Sequence, residues 1–131
     1  MKTLIVEDDF TSRLVLQTFL KDHGPTHIAV NGKEAVEAVR MALEAGDPYN
    51  LICLDIMMPE MDGQEALKEI RSMEEAKGTI SSMGAKIIMM TILGDMKNIC
   101  HAYSSLCDAY LLKPIGQQKL LEELRKLGLI R

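Results

Sequence analysis

The chain has 131 residues, of which 47% are hydrophobic and 26% are charged. This length and composition fit one globular domain and argue against a disordered, collagen-like or disulfide-stapled chain. Lysine and arginine total 15 against 19 aspartate and glutamate residues, so the net charge of -4 gives no basic field that would attract nucleic acid. We therefore expect a single domain over residues 1–131, without direct nucleic-acid binding.

The cysteines and the N-terminal residues bear on the compartment. The three cysteines lack CxxC spacing, and their odd number fits a reduced compartment better than a disulfide framework. The first residues lack the charged and apolar segments of a secretory leader, and no apolar run reaches membrane-spanning length. We therefore expect a cytoplasmic protein that does not insert into a membrane.

Five apolar runs have the length of buried β-strands, and helical patterns separate them. Because short buried strands alternate with helices, parallel pairing through right-handed crossovers is favoured. The sequence thus predicts an α/β fold with a doubly wound, five-stranded parallel sheet and five helices. The predicted strands are Thr3–Val6, His27–Val30, Leu51–Leu54, Lys86–Met90 and Ala109–Leu112.

The predicted helices carry apolar residues at helical spacing and polar residues that could cap their starts. Asp9 or Thr11 could cap the first helix and Asn31 the second, while the third helix follows Asp62. The apolar stripes in chain order are Phe10, Leu14, Val15 and Phe19; Ala35, Val39 and Ala42; Leu67, Ile70 and Met73; Met96, Ile99, Tyr103 and Leu106; and Leu120, Leu121, Leu124 and Leu127.

Polar residues follow four of the predicted strands at their carboxyl ends, where doubly wound sheets bind ligands. They are the run Glu7–Asp9, Asp55, Thr91 and Lys113. Carboxylates that converge within a few ångströms repel one another by about 3 to 4 kcal/mol per pair at an effective dielectric near 20, so they need a countercharge. Oxygen ligands with positions left for water suit Mg²⁺. The sequence therefore predicts a Mg²⁺ site at this edge of the sheet.

The charges around this predicted site favour a phosphoryl ligand. The negative charges of Asp8, Asp9 and Asp55 are balanced by Lys113 and Mg²⁺, so an incoming phosphoryl group meets a neutralised pocket. A carboxylate nucleophile forms a labile acyl phosphate, which suits a reversible signal. Asp55 is the best nucleophile candidate, and Lys113 and Thr91 are candidates for contacting phosphoryl oxygens.

These residues resemble the receiver domains of bacterial two-component response regulators, and the resemblance covers essentially the whole chain. It is carried by the acidic segment Leu4–Asp9, the phosphoacceptor-like segment Leu54–Gly63, Thr91 and the segment Leu112–Pro114. The resemblance implies a CheY-like phosphorelay switch with strand order 2-1-3-4-5 and a cis peptide before Pro114. It also implies signalling by protein binding, and no turnover of an external substrate beyond the domain's own phosphorylation and dephosphorylation.

The resemblance also implies roles for individual residues. Asp9 would bind Mg²⁺ directly, Asp8 would help through water, and the Met57 carbonyl would complete the protein ligands. Asp55 would bridge the metal and the phosphoryl group.

Switching and partners follow from the same resemblance. Tyr110 falls at the family's switch aromatic, which turns inward as Thr91 moves toward the phosphoryl group. The surface of the fourth helix, fifth strand and fifth helix would then change shape and bind a downstream protein. The phosphodonor would be a histidine kinase or a histidine phosphotransfer protein.

One position departs from the family pattern. A small residue usually follows the sensing hydroxyl, whereas Ile92 follows Thr91 here. Bulk beside the phosphorylation site would narrow access, so we expect slow phosphorylation by small donors and slow hydrolysis.

Three other functions match parts of this pattern. A haloacid-dehalogenase-like phosphatase needs an acidic residue two positions after its aspartate nucleophile, where Met57 stands. A flavodoxin-like flavin binder needs a phosphate loop after the first strand, where the run Glu7–Asp9 would repel phosphate. A pseudo-receiver that only binds proteins would have lost acidic or lysine positions.

Overall fold

Five parallel strands form the central sheet of the computed structural model, which describes residues 1–58, 60–79, 83–92 and 106–131. The sheet order is β2-β1-β3-β4-β5, as the resemblance implied, so the chain reverses its direction of winding between β1 and β3. The strands are β1 (Thr3–Val6), β2 (Thr26–Ala29), β3 (Leu51–Asp55), β4 (Lys86–Thr91) and β5 (Ala109–Leu112).

The described helices are α1 (Phe10–Leu20), followed by a 3-10 turn (Lys21–His23), α2 (Gly32–Glu44), α3 (Gly63–Ala76) and α4 (Gln117–Lys126). The side chains of Asp9, Asn31 and Asp62 each accept a hydrogen bond from a backbone N–H in the first turn of α1, α2 and α3. The helix predicted around Met96 to Leu106 lies outside the described residues except for Leu106. None of the helices described is long and apolar enough to cross a lipid bilayer.

The sheet separates two apolar cores, because alternate residues of a strand face opposite sides. With both faces covered, β1, β3 and β4 consist mostly of buried apolar residues. The core against α2 and α3 includes Leu4, Val6, Ile52, Leu54, Ile87, Met89, Ala35, Val39, Leu67 and Ile70. The core against α1 and α4 includes Ile5, Leu51, Cys53, Ile88, Met90, Leu111, Leu16, Leu20, Leu120 and Leu124.

A tight turn carries the chain from β3 into α3. The Gly63 N–H donates to the Ile56 carbonyl at 3.0 Å. A Cβ atom at position 63 would collide with the Asp55 carbonyl, so only glycine fits this close approach. The turn thereby fixes the backbone of Asp55 at the carboxyl edge of the sheet.

Candidate functional site

Polar residues from four strands meet at the carboxyl edge of the sheet. Glu7 follows β1, Asp55 ends β3, Thr91 ends β4 and Lys113 follows β5. Glu7, Asp55 and Thr91 are 1%, 3% and 2% exposed, respectively. Burial of charged groups is costly unless partners surround them, so the pairing among these residues decides what the edge can do.

Lys113 joins two of these carboxylates. Its Nζ lies 2.7 Å from Glu7 Oε2 and 3.1 Å from Asp55 Oδ2. Burial favours the neutral amine, but the hydrogen bonds and negative charges of Glu7 and Asp55 outweigh it and raise the pKa of Lys113. The ammonium is therefore fully charged at neutral pH, and it stands against the Asp55 carboxylate.

Three carboxyl groups surround the same point. Glu7, Asp8 and Asp55 each have a carboxylate oxygen within 4.8 Å of the other two. Burial, with the nearby Asp55 charge, raises the pKa of Glu7 to about 7, although hydrogen bonds from Lys113 and the Asp9 N–H oppose the shift. A compact set of hard oxygen donors with excess negative charge fits Mg²⁺.

Asp9 lies outside this cluster of three carboxyl groups. Its Oδ2 accepts from the Ser12 N–H at 2.9 Å and from the Ser12 hydroxyl at 2.8 Å. These hydrogen bonds lower the pKa of Asp9, whose carboxylate is exposed at the start of α1. The capping role expected for Asp9 is therefore present, whereas direct binding of Mg²⁺ by Asp9 stays a prediction.

Glu7 is the residue that sequence reasoning left without a role. Glu7 belongs to the acidic run after β1, but the predicted balance of charges around Mg²⁺ includes only Asp8, Asp9 and Asp55 as carboxylates. The alternation of side chains along a strand could have identified Glu7 as a buried residue. Glu7 faces the same side of β1 as Ile5, which packs in the core against α1 and α4. A carboxyl group on that side of the strand has to be buried, and Lys113 is its partner.

The remaining predicted residues lie around this centre. The Thr91 hydroxyl donates to the Ile92 carbonyl at 3.2 Å, and the Met57 N–H donates to Asp55 Oδ1 at 3.3 Å. Tyr110 is half-buried and packs against the core that lies between the sheet and helices α2 and α3. The phosphate-sensing, metal-binding and switching roles of these three residues stay predictions. The Lys113–Pro114 peptide is cis, as the resemblance implied.

A cleft opens beside the ion pair of Glu7 and Lys113. Its volume is about 440 Å³, and α1, the ends of β1 and β4 and the segment after β5 form its walls. Ile92, at 56% exposure, lines the same cleft as Lys113. The apolar walls comprise Val15, Leu16, Met90, Ile92, Pro114 and Ile115.

A sequence model of the response regulator receiver domain matches residues 3–125. The chain belongs to the response regulator receiver family. Receivers are domains of two-component signalling, and the family match favours this interpretation over the phosphatase and the flavin binder. The recognition from the acidic, phosphoacceptor and lysine–proline segments is thereby confirmed.

The receiver is similar to parts of larger kinases and to a stand-alone protein. It is 32% identical over 124 residues to the osmosensing histidine protein kinase SLN1 of Saccharomyces cerevisiae, covering 92% of this chain and 9% of the kinase. It is 29% identical over 126 residues to the chemotaxis protein CheY of Listeria monocytogenes, covering 96% of this chain and 97% of CheY. The receiver thus spans a small part of some curated relatives and nearly all of others.

A solved complex gives a related structure. The receiver domain of Ssk1, crystallised with the histidine phosphotransfer protein Ypd1 of Saccharomyces cerevisiae, matches with a TM-score of 0.81 at 29% identity. The match covers 98% of this chain and 88% of that chain. The strand order and fold of the receiver are therefore those of its family.

Proposed function

We propose that this receiver is a phosphorylation switch of a two-component phosphorelay and that Asp55 is its phosphoacceptor. The observation that carries the proposal is the position of the Asp55 carboxylate. It lies 3.1 Å from the Lys113 ammonium, and one of its oxygens lies within 4.8 Å of carboxylate oxygens of Glu7 and Asp8. A carboxylate nucleophile needs nearby cations and donors for the oxygens of the incoming phosphoryl group. Among the four strand ends, Asp55 best meets this need.

We assign the Mg²⁺ ligands to Asp8, Asp55 and the Met57 carbonyl. The support is the grouping of the carboxylate oxygens of Glu7, Asp8 and Asp55, in which Glu7 makes the shorter contact with Lys113. Asp9 is the direct ligand expected from the resemblance, but its Oδ2 accepts both hydrogen bonds from Ser12 at the start of α1, so we propose Asp8 for the direct position instead. When bound, Mg²⁺ supplies positive charge to the carboxylates and to the transferred phosphoryl group.

The proposed transfer forms one bond and breaks another. A carboxylate oxygen of Asp55 attacks the phosphorus of a phosphohistidine and a P–O bond forms. The P–N bond breaks with its electron pair going to the imidazole nitrogen, which takes up a proton from water. Lys113 then moves from the carboxylate to a phosphoryl oxygen, and the Thr91 hydroxyl turns from the Ile92 carbonyl to another. Water later attacks phosphorus and releases inorganic phosphate, which restores the Asp55 carboxylate.

The proposed donor is a histidine kinase or a histidine phosphotransfer protein. SLN1 is named as a histidine kinase, and the Ssk1 receiver was crystallised with a histidine phosphotransfer protein. In this receiver Phe10, Leu14 and Val15 are exposed on α1 next to the cleft. Exposed apolar residues clustered beside a reactive site favour a protein donor over a small molecule alone.

The proposed output is binding of a downstream protein. The surface expected to change comprises the predicted fourth helix, β5 and α4, with Tyr110 as the aromatic switch. Of this surface, the structure describes β5 and α4. We propose that residues 1–131 act as one receiver domain in the cytoplasm.

Intact-mass measurement tests the phosphoacceptor. The parent chain is incubated with acetyl phosphate with and without Mg²⁺, and Asp55→Asn is treated in parallel. We expect a gain of one phosphoryl group in the parent with Mg²⁺, and no gain in the parent without Mg²⁺ or in Asp55→Asn. A parent that gains no phosphoryl group behaves as a pseudo-receiver, and an equal gain in Asp55→Asn places the phosphoacceptor elsewhere.

A further inference from the structure

Arg13 holds the backbone from which two of the three site carboxylates project. Its Nη1 donates to the Glu7 carbonyl at 3.2 Å and to the Asp8 carbonyl at 3.0 Å. The guanidinium is itself confined, because its Cζ lies 5.7 Å from the centroid of the Phe10 ring. One nitrogen of a half-buried side chain therefore bridges two successive carbonyls behind the acidic residues.

This contact lies at the carboxyl end of β1, where the backbone hydrogen bonds of the sheet stop. The Glu7 N–H still donates to the Ala29 carbonyl at 3.0 Å, but β1 ends at Val6 and the Asp8 carbonyl lies beyond the strand. The direction of the Asp8 carboxylate depends on the backbone angles of this turn. Arg13 is a donor that limits those angles, since it binds the carbonyls of the two peptide groups on either side of the Asp8 Cα.

Two effects of Arg13 on a bound cation have opposite signs. Its positive charge repels Mg²⁺, whereas its hydrogen bonds orient an Mg²⁺ ligand. The guanidinium is partly in solvent, where screening weakens the repulsion. Loss of an outer hydrogen-bond partner of a metal ligand typically lowers metal affinity by about 10- to 100-fold, so orientation dominates.

We propose that Arg13 is a positioning residue of the Mg²⁺ site, acting through the Glu7 and Asp8 carbonyls to aim the Asp8 carboxylate at the metal. This inference rests on the proposed Mg²⁺-dependent phosphorylation of Asp55. It adds a residue on α1 that contacts neither the metal nor the phosphoryl group.

Calorimetric titration with Mg²⁺ of the full chain tests this role. Arg13→Met keeps an unbranched apolar stem but removes the charge and the donors. Arg40→Met is the matched control, because it removes the same charge from α2, where Arg40 pairs only with Glu37 and Glu44 in the described structure. We expect the Mg²⁺ Kd to rise roughly tenfold in Arg13→Met and to stay unchanged in Arg40→Met.

The conservative variant provides a second measurement. Arg13→Lys restores a cation that can donate to carbonyls, so we expect its Mg²⁺ Kd to return to within about threefold of the parent value. Phosphorylation by acetyl phosphate should fall in Arg13→Met at limiting Mg²⁺ and recover at saturating Mg²⁺. The thermal midpoint without Mg²⁺ should change no more than in Arg40→Met.

The outcomes separate the two proposals. A Kd in Arg13→Met equal to or below that of Arg40→Met overturns the positioning role, as does loss of the fold in both Arg13→Met and Arg13→Lys. If only Arg13→Met fails to fold, Arg13→Gln takes its place under the same criterion. A parent chain that neither binds Mg²⁺ nor gains a phosphoryl group contradicts the proposed function itself.

Discussion

The Glu7 carboxyl group gives the receiver a pH-dependent stability. Burial raises its folded-state pKa from 4.5 to about 7, so between these values the folded chain binds more protons than the unfolded chain. The free energy of unfolding therefore falls as pH rises from about 4.5 to about 7, by roughly 2 to 3 kcal/mol from this residue. The raised pKa of Lys113 acts only at higher pH.

Urea unfolding at several pH values, in buffer with a metal chelator, measures this contribution. Glu7→Gln keeps the shape of the side chain and cannot ionise, so the fall in stability across this pH range should be smaller than in the parent. Glu34→Gln, which changes an exposed carboxylate on α2, is the control. Parallel curves for the parent and Glu7→Gln would show that the Glu7 pKa is not raised.

Ile92 belongs to the residue scale as well, because its side chain narrows the cleft beside Lys113. In Ile92→Ala we expect phosphorylation by acetyl phosphate and hydrolysis of the phosphorylated form both to speed up by about three- to tenfold, on the order of 1 kcal/mol in each barrier. Intact mass followed over time gives both rates. Val15→Ala, which changes a cleft-lining residue on α1, is the control. Unchanged rates in Ile92→Ala would remove the steric explanation.

Individual site residues were predictable to different degrees. Asp55 and Lys113 were identified because each stands at the carboxyl end of a predicted strand, and the structure places them in contact. Roles in the acidic run Glu7–Asp9 were harder to predict. With three consecutive carboxyl groups, the sequence does not say which is buried, which binds the metal and which caps α1. Only the exact end of β1 and the bond from Ser12 to Asp9 separate the buried Glu7 from the capping Asp9.

At the scale of elements, a substitution at the start of α1 can separate the helix-capping role of Asp9 from a metal-binding role. Asp9→Ser keeps a capping oxygen and removes the carboxylate, so we expect less than about 1 kcal/mol loss of stability and a Mg²⁺ Kd within about threefold of the parent value. Asp8→Ser, the neighbouring control, should raise the Kd by more than tenfold or abolish binding. Calorimetry and urea unfolding supply the two measurements. Equal losses of Mg²⁺ affinity in both variants would make Asp9 a ligand after all.

The elements themselves were largely readable from the sequence. The strands follow from apolar runs, and three helix starts follow from Asp9, Asn31 and Asp62, because capping is a local effect of neighbouring residues. The boundaries of β2, β3 and β4 moved by one residue, since alternation of apolar residues does not mark where backbone pairing stops. The predicted helix around Met96 stays a prediction.

At the scale of the whole molecule, a buried ion network ties α3 to the two strands that follow it. Arg71 donates to Glu74 at 2.6 Å, to Asp108 at 3.1 Å and to the Leu106 carbonyl at 2.7 Å. Glu74 also accepts from the Ala85 N–H at 2.8 Å. Because Arg71 and Glu74 are 8% and 3% exposed, removal of the cation would leave the buried Glu74 carboxylate without its charged partner.

We expect Arg71→Met to lower the free energy of unfolding by about 3 to 5 kcal/mol. The same substitution at Arg40, whose ion pairs are exposed, should cost about 1 kcal/mol or less. Urea unfolding of both variants at one pH gives the comparison. Similar losses at the two positions would contradict a stabilising role for the buried network.

The bond between Glu7 and Lys113 joins residues 106 positions apart, from strands that are not neighbours in the sheet. A growing chain on the ribosome that has produced β1 and β3 already carries Asp8 and Asp55 but still lacks the ammonium that completes their surroundings. Newly made receivers should therefore stay unresponsive to a phosphodonor until the last strand has emerged and docked. On the proposed function, partly synthesised chains should therefore accept no phosphoryl groups.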